Sequence, residues 1–484
     1  MKVLLKDILY KVSIEAVKGS TDITIQKIEF DSRKVQENDV FVAIRGTVSD
    51  GHEFIEKAIG LGATAIVCDT LPEVIASNIT YIQVEDTNSA LAFISANFYN
   101  NPSDKIRLVG VTGTNGKTTI ASLLYQLYKK AGYKVGLLST VKIMVDETEY
   151  KATHTTPDSL TINYYLNEMI AVGCEYCFME VSSHGVHQKR TKGLHFEGGV
   201  FTNLSHDHLD YHPTFAEYRD VKKSFFDHLP KTAFALTNVD DKNGAVMLQN
   251  TSARKLTYAL KSYADYRAQI LENQLSGLLL KINDNEVWVK LIGTFNAYNL
   301  LAIYGTAIEL GMDSLEALRL LSELESVSGR FQFIVSADKV TAIVDYAHTP
   351  DALENVLKTI NDIRTNNEKL ISVVGCGGDR DKTKRPIMAN IASQMSDTVI
   401  FTSDNPRTEN PATIISEMEK GVEPQNYKKT LSIEDRMQAI KTACQLANAH
   451  DIILIAGKGH ENYQEINGVR HHFDDMETIK EFLS

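Results

Sequence analysis

At 484 residues the chain exceeds what one hydrophobic core usually organises, so two to four domains are expected. With 43% hydrophobic and 23% charged residues it reads as an ordinary globular protein, and its formal net charge of -12 argues against nucleic acid or an anionic membrane as main partner. Any anionic substrate must then be held by local cations.

In chain order, the opening segment is apolar but broken by Lys6 and Asp7. It is too short and too charged for a signal peptide or membrane span, and no later run reaches the ~18 apolar residues of a spanning helix. Short β-branched runs at 24–30, 40–44, 65–67 and 80–84, mixed with helical pattern, read as a small α/β domain that ends near Asn100-Asn101-Pro102. Beyond it, apolar runs at 108–111, 135–138, 177–181, 199–201 and 233–236 each end in polar residues. Ligands in open α/β sheets sit beyond the carboxyl ends of strands, so one site is expected to collect 113–119, 180–183, 203–210 and Asn238. A second break follows Ser328-Gly329-Arg330, and runs at 370–374, 398–402 and 452–455 predict a third, doubly wound domain. The division expected is 1–102, 103–331 and 332–484. Five scattered cysteines, Cys68, Cys174, Cys177, Cys376 and Cys444, make no disulfide framework and fit a reducing cytoplasm. Cys174 and Cys177 enter an apolar strand, not a helix N-terminus, and read as packing residues.

The segment from Leu108 to Thr119 runs from a strand into a helix whose Ile120, Leu123, Leu124, Leu127 and Ala131 share one face. Between them lies a phosphate-binding loop, Gly113, Thr114, Asn115, Gly116, Lys117, Thr118 and Thr119. The glycines admit backbone N–H groups to phosphate oxygens, Lys117 reaches the β and γ phosphates, and Thr118 suits Mg²⁺. The strict P-loop pattern opens on a glycine where this chain has Val111.

From these residues the chain resembles the Mur ligase family. His154-Thr-Thr-Pro-Asp158, Glu180-Val-Ser-Ser-His184, Asn203-Leu-Ser-His-Asp-His-Leu-Asp210, Gly329-Arg330, Asp345-Tyr-Ala-His348, Gly375-Cys-Gly-Gly-Asp-Arg380 and Asp404-Asn-Pro-Arg407 look like its blocks in order, over essentially the whole chain. The resemblance implies a three-domain α/β fold: a uridine-nucleotide domain, a central ATP-binding domain and a Rossmann-like C-terminal domain. It further implies a cytoplasmic, monomeric ligase of peptidoglycan synthesis that joins an amino acid to UDP-MurNAc-dipeptide through an acyl phosphate, with ATP and two Mg²⁺.

By the same resemblance, Glu180 and His206 join Thr118 at the metal, Lys222 is carbamylated to help bind a second Mg²⁺, and His348 approaches the γ-phosphate. Asn296 and Asn299 contact adenine, while Arg330 and Asp345 reach the nucleotide from the domain junction. The sugar nucleotide is assigned to Phe30, Ser32, Gly46, Thr47 and Val48, then to His154, Thr155, Thr156, Ser182, Gln188 and Arg190. His154 stands where close members of the family have Asn. The amino acid is assigned to Arg380, Asp404, Asn405, Pro406, Arg407, Gly457 and Glu461.

Lysine ends in an ammonium alone and meso-diaminopimelate in an ammonium plus a carboxylate. Arg407 can receive that carboxylate bidentately, so diaminopimelate is the expected substrate, with L-lysine or a folylpolyglutamate-type reaction as alternatives. Two rival readings use the same residues. His206-Asp-His-Leu-Asp-Tyr-His212 nearly spells a zinc-hydrolase ligand set, with Tyr211 breaking the register, and a P-loop switch would hydrolyse ATP only to move. A switch would want a strand ending in aspartate, where this chain has Glu180.

Overall fold

The computed structural model describes residues 3–46, 49–205, 211–365 and 367–483. Among the described residues, three large sheets carry the fold, together with two two-stranded ones. The first large sheet has the spatial order Ile14–Lys18, Thr80–Val84, Ala65–Cys68, Val40–Val42, Ile28–Glu29, parallel except for its first strand. The sequence suggests one strand over 24–30, but Thr24–Ile25 pairs with Val3–Leu4 and only Ile28–Glu29 joins the sheet. Apolar clusters pack both faces, one beneath the helix Thr87–Phe98 and the other beneath Ile55–Gly60.

The middle sheet has eleven strands. Its parallel centre runs Val135–Leu138, Tyr176–Glu180, Arg107–Thr112, Gly198–Phe201, Phe234–Asn238, Arg254–Ala259, Tyr266–Gln274. The antiparallel strands Lys142–Val145 and Thr148–Lys151 extend one edge, and Gly277–Ile282 and Asn285–Val289 the other. The central strands are buried on both faces and so read as continuous apolar runs. Tyr266–Gln274 alternates between buried and exposed positions at its start, which dilutes its apolar signal. Helices Lys117–Lys130, Thr294–Glu309 and Ser314–Ser322 pack on one side, and Ser159–Ala171 and Phe215–Asp227 on the other. Cys174 and Cys177 lie in this second cluster as buried free thiols, and burial raises both pKa values.

The third sheet runs Gln332–Val335, Thr341–Asp345, Ile452–Ala456, Leu370–Cys376, Thr398–Ser403, Thr430–Ser432. Only its first strand is antiparallel. Pro350–Ile363, Lys384–Met395 and Pro411–Glu419 cover one face, Arg436–Leu446 and Asp475–Leu483 the other, giving a doubly wound unit. No helix among the described residues is long and apolar enough to cross a membrane.

Candidate active site

The strand Arg107–Thr112 turns into the helix Lys117–Lys130 through two glycines with positive φ, Gly113 at 145° and Gly116 at 88°. Space constrains both. A Cβ on Gly113 would collide with Thr202 Oγ1, and one on Gly116 would meet Asn299 Oδ1 at 2.7 Å. Lys117 folds its ammonium over the loop, donating to the carbonyls of Gly113 at 2.9 Å and Thr114 at 2.7 Å. Thr114 Oγ1 meets the Tyr218 hydroxyl at 3.1 Å, and Thr119 is buried. Asn115 is tied from three sides: its N–H donates to Asn203 Oδ1 at 3.0 Å, its carbonyl accepts from Thr202 Oγ1 at 2.6 Å, and its amide donates to Asp351 Oδ2 at 2.7 Å.

Glu180 ends the neighbouring parallel strand and is 1% exposed, so it is no solvent-facing carboxylate. Thr118 Oγ1 donates to its Oε2 at 2.9 Å and the Thr140 N–H to its Oε1 at 2.7 Å. Carboxylate and hydroxyl oxygens side by side at the mouth of a phosphate loop are the hard donors Mg²⁺ prefers, so these residues fit that ion. Lys222, on the helix Phe215–Asp227, is also 1% exposed, with its ammonium 2.9 Å from the Gly113 carbonyl and 4.8 Å from the Tyr218 ring centroid. Its neighbour Lys223 is buried too and pairs with Asp227 at 2.7 Å, so neither lysine is a solvated helix charge. His206, like the rest of 206–210, lies outside the described residues, as do Thr47 and Val48.

Two residues, Arg330 at the junction of the second and third units and Asp351 in the third, reach this loop. Arg330 Nη2 donates to Thr118 Oγ1 at 3.3 Å, while its Nε is buried with no hydrogen-bond partner among the described residues. Asp345 Oδ2 accepts from the Phe331 N–H at 2.7 Å; burial pushes its carboxyl up to about 6 against the opposing pull of Arg330. Asp351, in the first turn of Pro350–Ile363, binds Asn115 and also Ser205 Oγ at 2.9 Å. Asn296 and Asn299 are buried beside Gly116 and bonded to each other at 3.0 Å. His348 Nδ1 lies 2.8 Å from the carbonyl of Tyr346, to which it donates.

On the third sheet, Asp404 and Asn405 follow the end of Thr398–Ser403 and are buried. The Asn405 amide donates to Glu461 Oε2 at 2.7 Å, and Asp404 Oδ2 lies 2.8 Å from where a Cβ on Gly457 would stand. Arg407 has a φ of 52° and donates Nη1 to the Gly378 carbonyl at 2.6 Å. It makes no ion pair with Glu409, which is held by buried Arg385 at 2.9 Å and by Lys382 at 3.1 Å; the bonds from Arg385 draw the Glu409 carboxyl down to about 2. Arg407 Nη1 and the stem of Arg380 flank Gly377, and the Pro406 carbonyl packs against Gly378.

The sugar-nucleotide residues fall into two groups. Thr156 Oγ1 donates to the Glu180 carbonyl at 2.8 Å and accepts the Ser182 N–H at 2.9 Å. Ser182 caps the helix Ser183–His187, and Arg190 donates to the Thr156 carbonyl at 2.6 Å and to Gln188 Oε1 at 2.7 Å. Thr155 Oγ1 accepts from Thr140, and His154 meets Thr153. Phe30 packs on the first core, Ser32 is buried, and the Gly46 N–H bonds Ser49. Among the described residues no hydrogen bond joins the two groups. Sequence reasoning missed Asp351, Tyr218, Arg385 and Lys458. Tyr218 opens the block that ends at Lys222, and Lys458 lies between Gly457 and Glu461, so both sat inside stretches already singled out, whereas Asp351 and Arg385 did not.

Comparison with known proteins places this geometry. Residues 24–99 match the Mur ligase family catalytic domain, 111–307 the Mur ligase middle domain, and 329–459 the Mur ligase glutamate ligase domain. The UDP-N-acetylmuramoyl-L-alanyl-D-glutamate–2,6-diaminopimelate ligase of Cytophaga hutchinsonii is 55% identical over 480 residues, 99% of each chain. The ligase of the same name from Phocaeicola vulgatus is 53% identical over the same length and shares. A solved structure of a ligase so named is 34% identical, with a TM-score of 0.71 over 100% of this chain and 99% of its own. A folylpolyglutamate synthase from Thermotoga maritima shares the fold at a TM-score of 0.60 and 15% identity, over 82% of this chain and 93% of its own. With the three matched segments falling one on each large sheet and whole-length identity above half, the chain belongs to the Mur ligase family.

Proposed function

We propose that this chain is the ATP-dependent ligase that joins meso-diaminopimelate to UDP-N-acetylmuramoyl-L-alanyl-D-glutamate in peptidoglycan precursor synthesis, acting in the cytoplasm. The observation that carries it is the pocket at 404–407. There the Arg407 guanidinium lies against Gly377 and Gly378 within electrostatic reach of Glu461, and Asp404 and Glu461 lie together about Lys458, so the cluster offers both signs of charge that a group with an ammonium and a carboxylate at one end requires. The relatives named for this activity support it over the full length.

In this reading residues 1–102 hold the uridine nucleotide, 103–331 ATP, and 332–484 the amino acid. The loop N–H groups and Lys117 cradle the phosphates, while Arg330, Asp345, Asn296 and Asn299 hold the nucleoside side. Thr118 and Glu180, with His206 and carbamylated Lys222, would hold Mg²⁺, which when bound neutralises charge on the phosphate oxygens. The terminal glutamate carboxylate, positioned by Thr155, Thr156, Ser182, Gln188 and Arg190, attacks the γ-phosphorus, and ADP leaves. The amine then attacks the acyl carbon, an N–C bond forms, and phosphate departs as the amine gives up a proton. His348, fixed by the Tyr346 carbonyl, approaches the transferring phosphoryl group. Catalysis is then placement and charge neutralisation.

A site built around a carboxylate leaves its arginine unpaired when lysine binds, which disfavours lysine by ~10³-fold or more in kcat/KM. The test is competition between diaminopimelate and lysine for the unaltered protein and for Arg407→Ala. Strong preference for diaminopimelate, lost in the variant, is expected; comparable use of lysine by the unaltered protein overturns the reading.

A further inference from the structure

The strand Ile452–Ala456 runs into the turn Gly457-Lys458-Gly459-His460-Glu461, where Lys458 is 0% exposed. A buried ammonium persists only with compensating anions and acceptors around it. Its Nζ lies 3.5 Å from Glu461 Oε2 and 3.8 Å from Asp404 Oδ1, and donates to Asn405 Oδ1 at 3.2 Å and to the Tyr463 carbonyl. Asn405 Oδ1 also accepts the Glu465 N–H at 2.9 Å, so both contacts fix which way the amide faces. Its Nδ2 must then point to Glu461, which it meets at 2.7 Å.

Charge gives a second line. Asp404, Glu461 and Lys458 by themselves sum to one net negative charge, and the Arg407 guanidinium, left for the substrate carboxylate, is the further cation nearby. Asp404 Oδ1 is buried and makes no hydrogen bond among the described residues, an acceptor left open. Burial, followed by the charge of Asp404, holds the Glu461 carboxyl above its ordinary range against the opposing pull of Lys458 and Arg407. Without the lysine, the paired carboxylates would suit a divalent cation as well as an ammonium.

The geometry points to Lys458 as a positioning residue for amino-acid specificity: it cancels one of the two carboxylate charges, so that the pocket takes a single ammonium, and through Asn405 it aims Glu461 at that ammonium. This role rests on the pocket proposed above. Lys458 acts through its neighbours and has no part in phosphoryl transfer.

The test separates the pocket from the phosphate loop. Hydroxylamine intercepts the acyl phosphate as a hydroxamate in the presence of UDP-MurNAc-dipeptide and ATP, with no amino acid needed. For Lys458→Met, KM for diaminopimelate is expected to rise about tenfold or more, while KM for ATP and the hydroxamate rate stay within about twofold. Lys458→Met combined with Glu461→Gln restores one net negative charge and leaves no buried lysine. Glu461→Gln alone leaves Asp404 and Lys458 cancelling, so relative to it the double variant's KM for diaminopimelate is expected not to rise, and this comparison carries the test if the single variant is insoluble. An unchanged KM in Lys458→Met, a parallel fall in hydroxamate, or purely additive losses in the double variant each overturn the assignment. If the unaltered protein makes hydroxamate yet fails to use diaminopimelate, the pocket reading itself falls; if it uses diaminopimelate and Lys458→Met matches it, only the role of Lys458 falls.

Discussion

Lys222 is a cation enclosed at the phosphate loop, against the Gly113 carbonyl, where a dication would be repelled by an ordinary ammonium. Carbamylation inverts the sign of that charge and turns the residue into an oxygen donor. Lys222→Ala is therefore expected to lose amide formation and to regain part of it with bicarbonate or short carboxylic acids, measured as product per unit time. Absence of any rescue, or an ordinary ammonium in a high-resolution map, contradicts the modification. Residues of this kind were legible because a glycine-rich loop between a strand and a helix has a local signature, and Lys222 was reached through the family blocks. Asp351 was not. A single aspartate in the first turn of a helix reads as a favourable dipole contact, and nothing local says that its carboxylate crosses to Asn115 and Ser205.

Among elements, the hairpin Tyr463–Ile466 and Val469–His472 shows how a strained residue is held. Arg407 sits in the left-handed region because its N–H donates to the Glu465 carbonyl at 3.0 Å and its carbonyl accepts from Asn467 N at 2.7 Å. Gln464 adds a bond to the Asp404 carbonyl at 2.8 Å. Asn467 itself has a φ of 49°, a conformation asparagine tolerates and proline cannot adopt. Asn467→Pro removes the N–H and the turn together, and is expected to raise KM for the amino acid about tenfold or more while KM for ATP is unchanged. An amino-acid KM within twofold of the unaltered value, from steady-state kinetics, would show that the hairpin does not position Arg407. This short, polar, exposed hairpin gave no strand signal in the sequence, whereas the fully buried central strands were plain.

For the whole molecule, the third unit reaches the phosphate loop through Asp351 on Asn115 and Ser205, with Arg330, at the junction before it, on Thr118. Each bond to the Asp351 carboxylate is charge-assisted and worth about 1.5–3 kcal/mol at most, less where water replaces it. Asp351→Ala is expected to leave each unit folded, lower kcat about tenfold, and speed protease cleavage around 328–332. Unchanged kcat together with an unchanged cleavage rate would show that this contact does not set the working arrangement. The sequence by itself determined the three-sheet α/β architecture, the strand-loop-helix course of the glycine-rich loop and the order of the family blocks, because buried parallel strands and glycine turns impose local patterns. Only the tertiary structure decided that Glu180 and Lys222 are enclosed, that Glu409 belongs to Arg385 rather than Arg407, and that Lys458 sits between Asp404 and Glu461. Those outcomes depend on which distant side chains meet, and a charged residue carries no local sign of whether folding will bury it or of the partner it will find there.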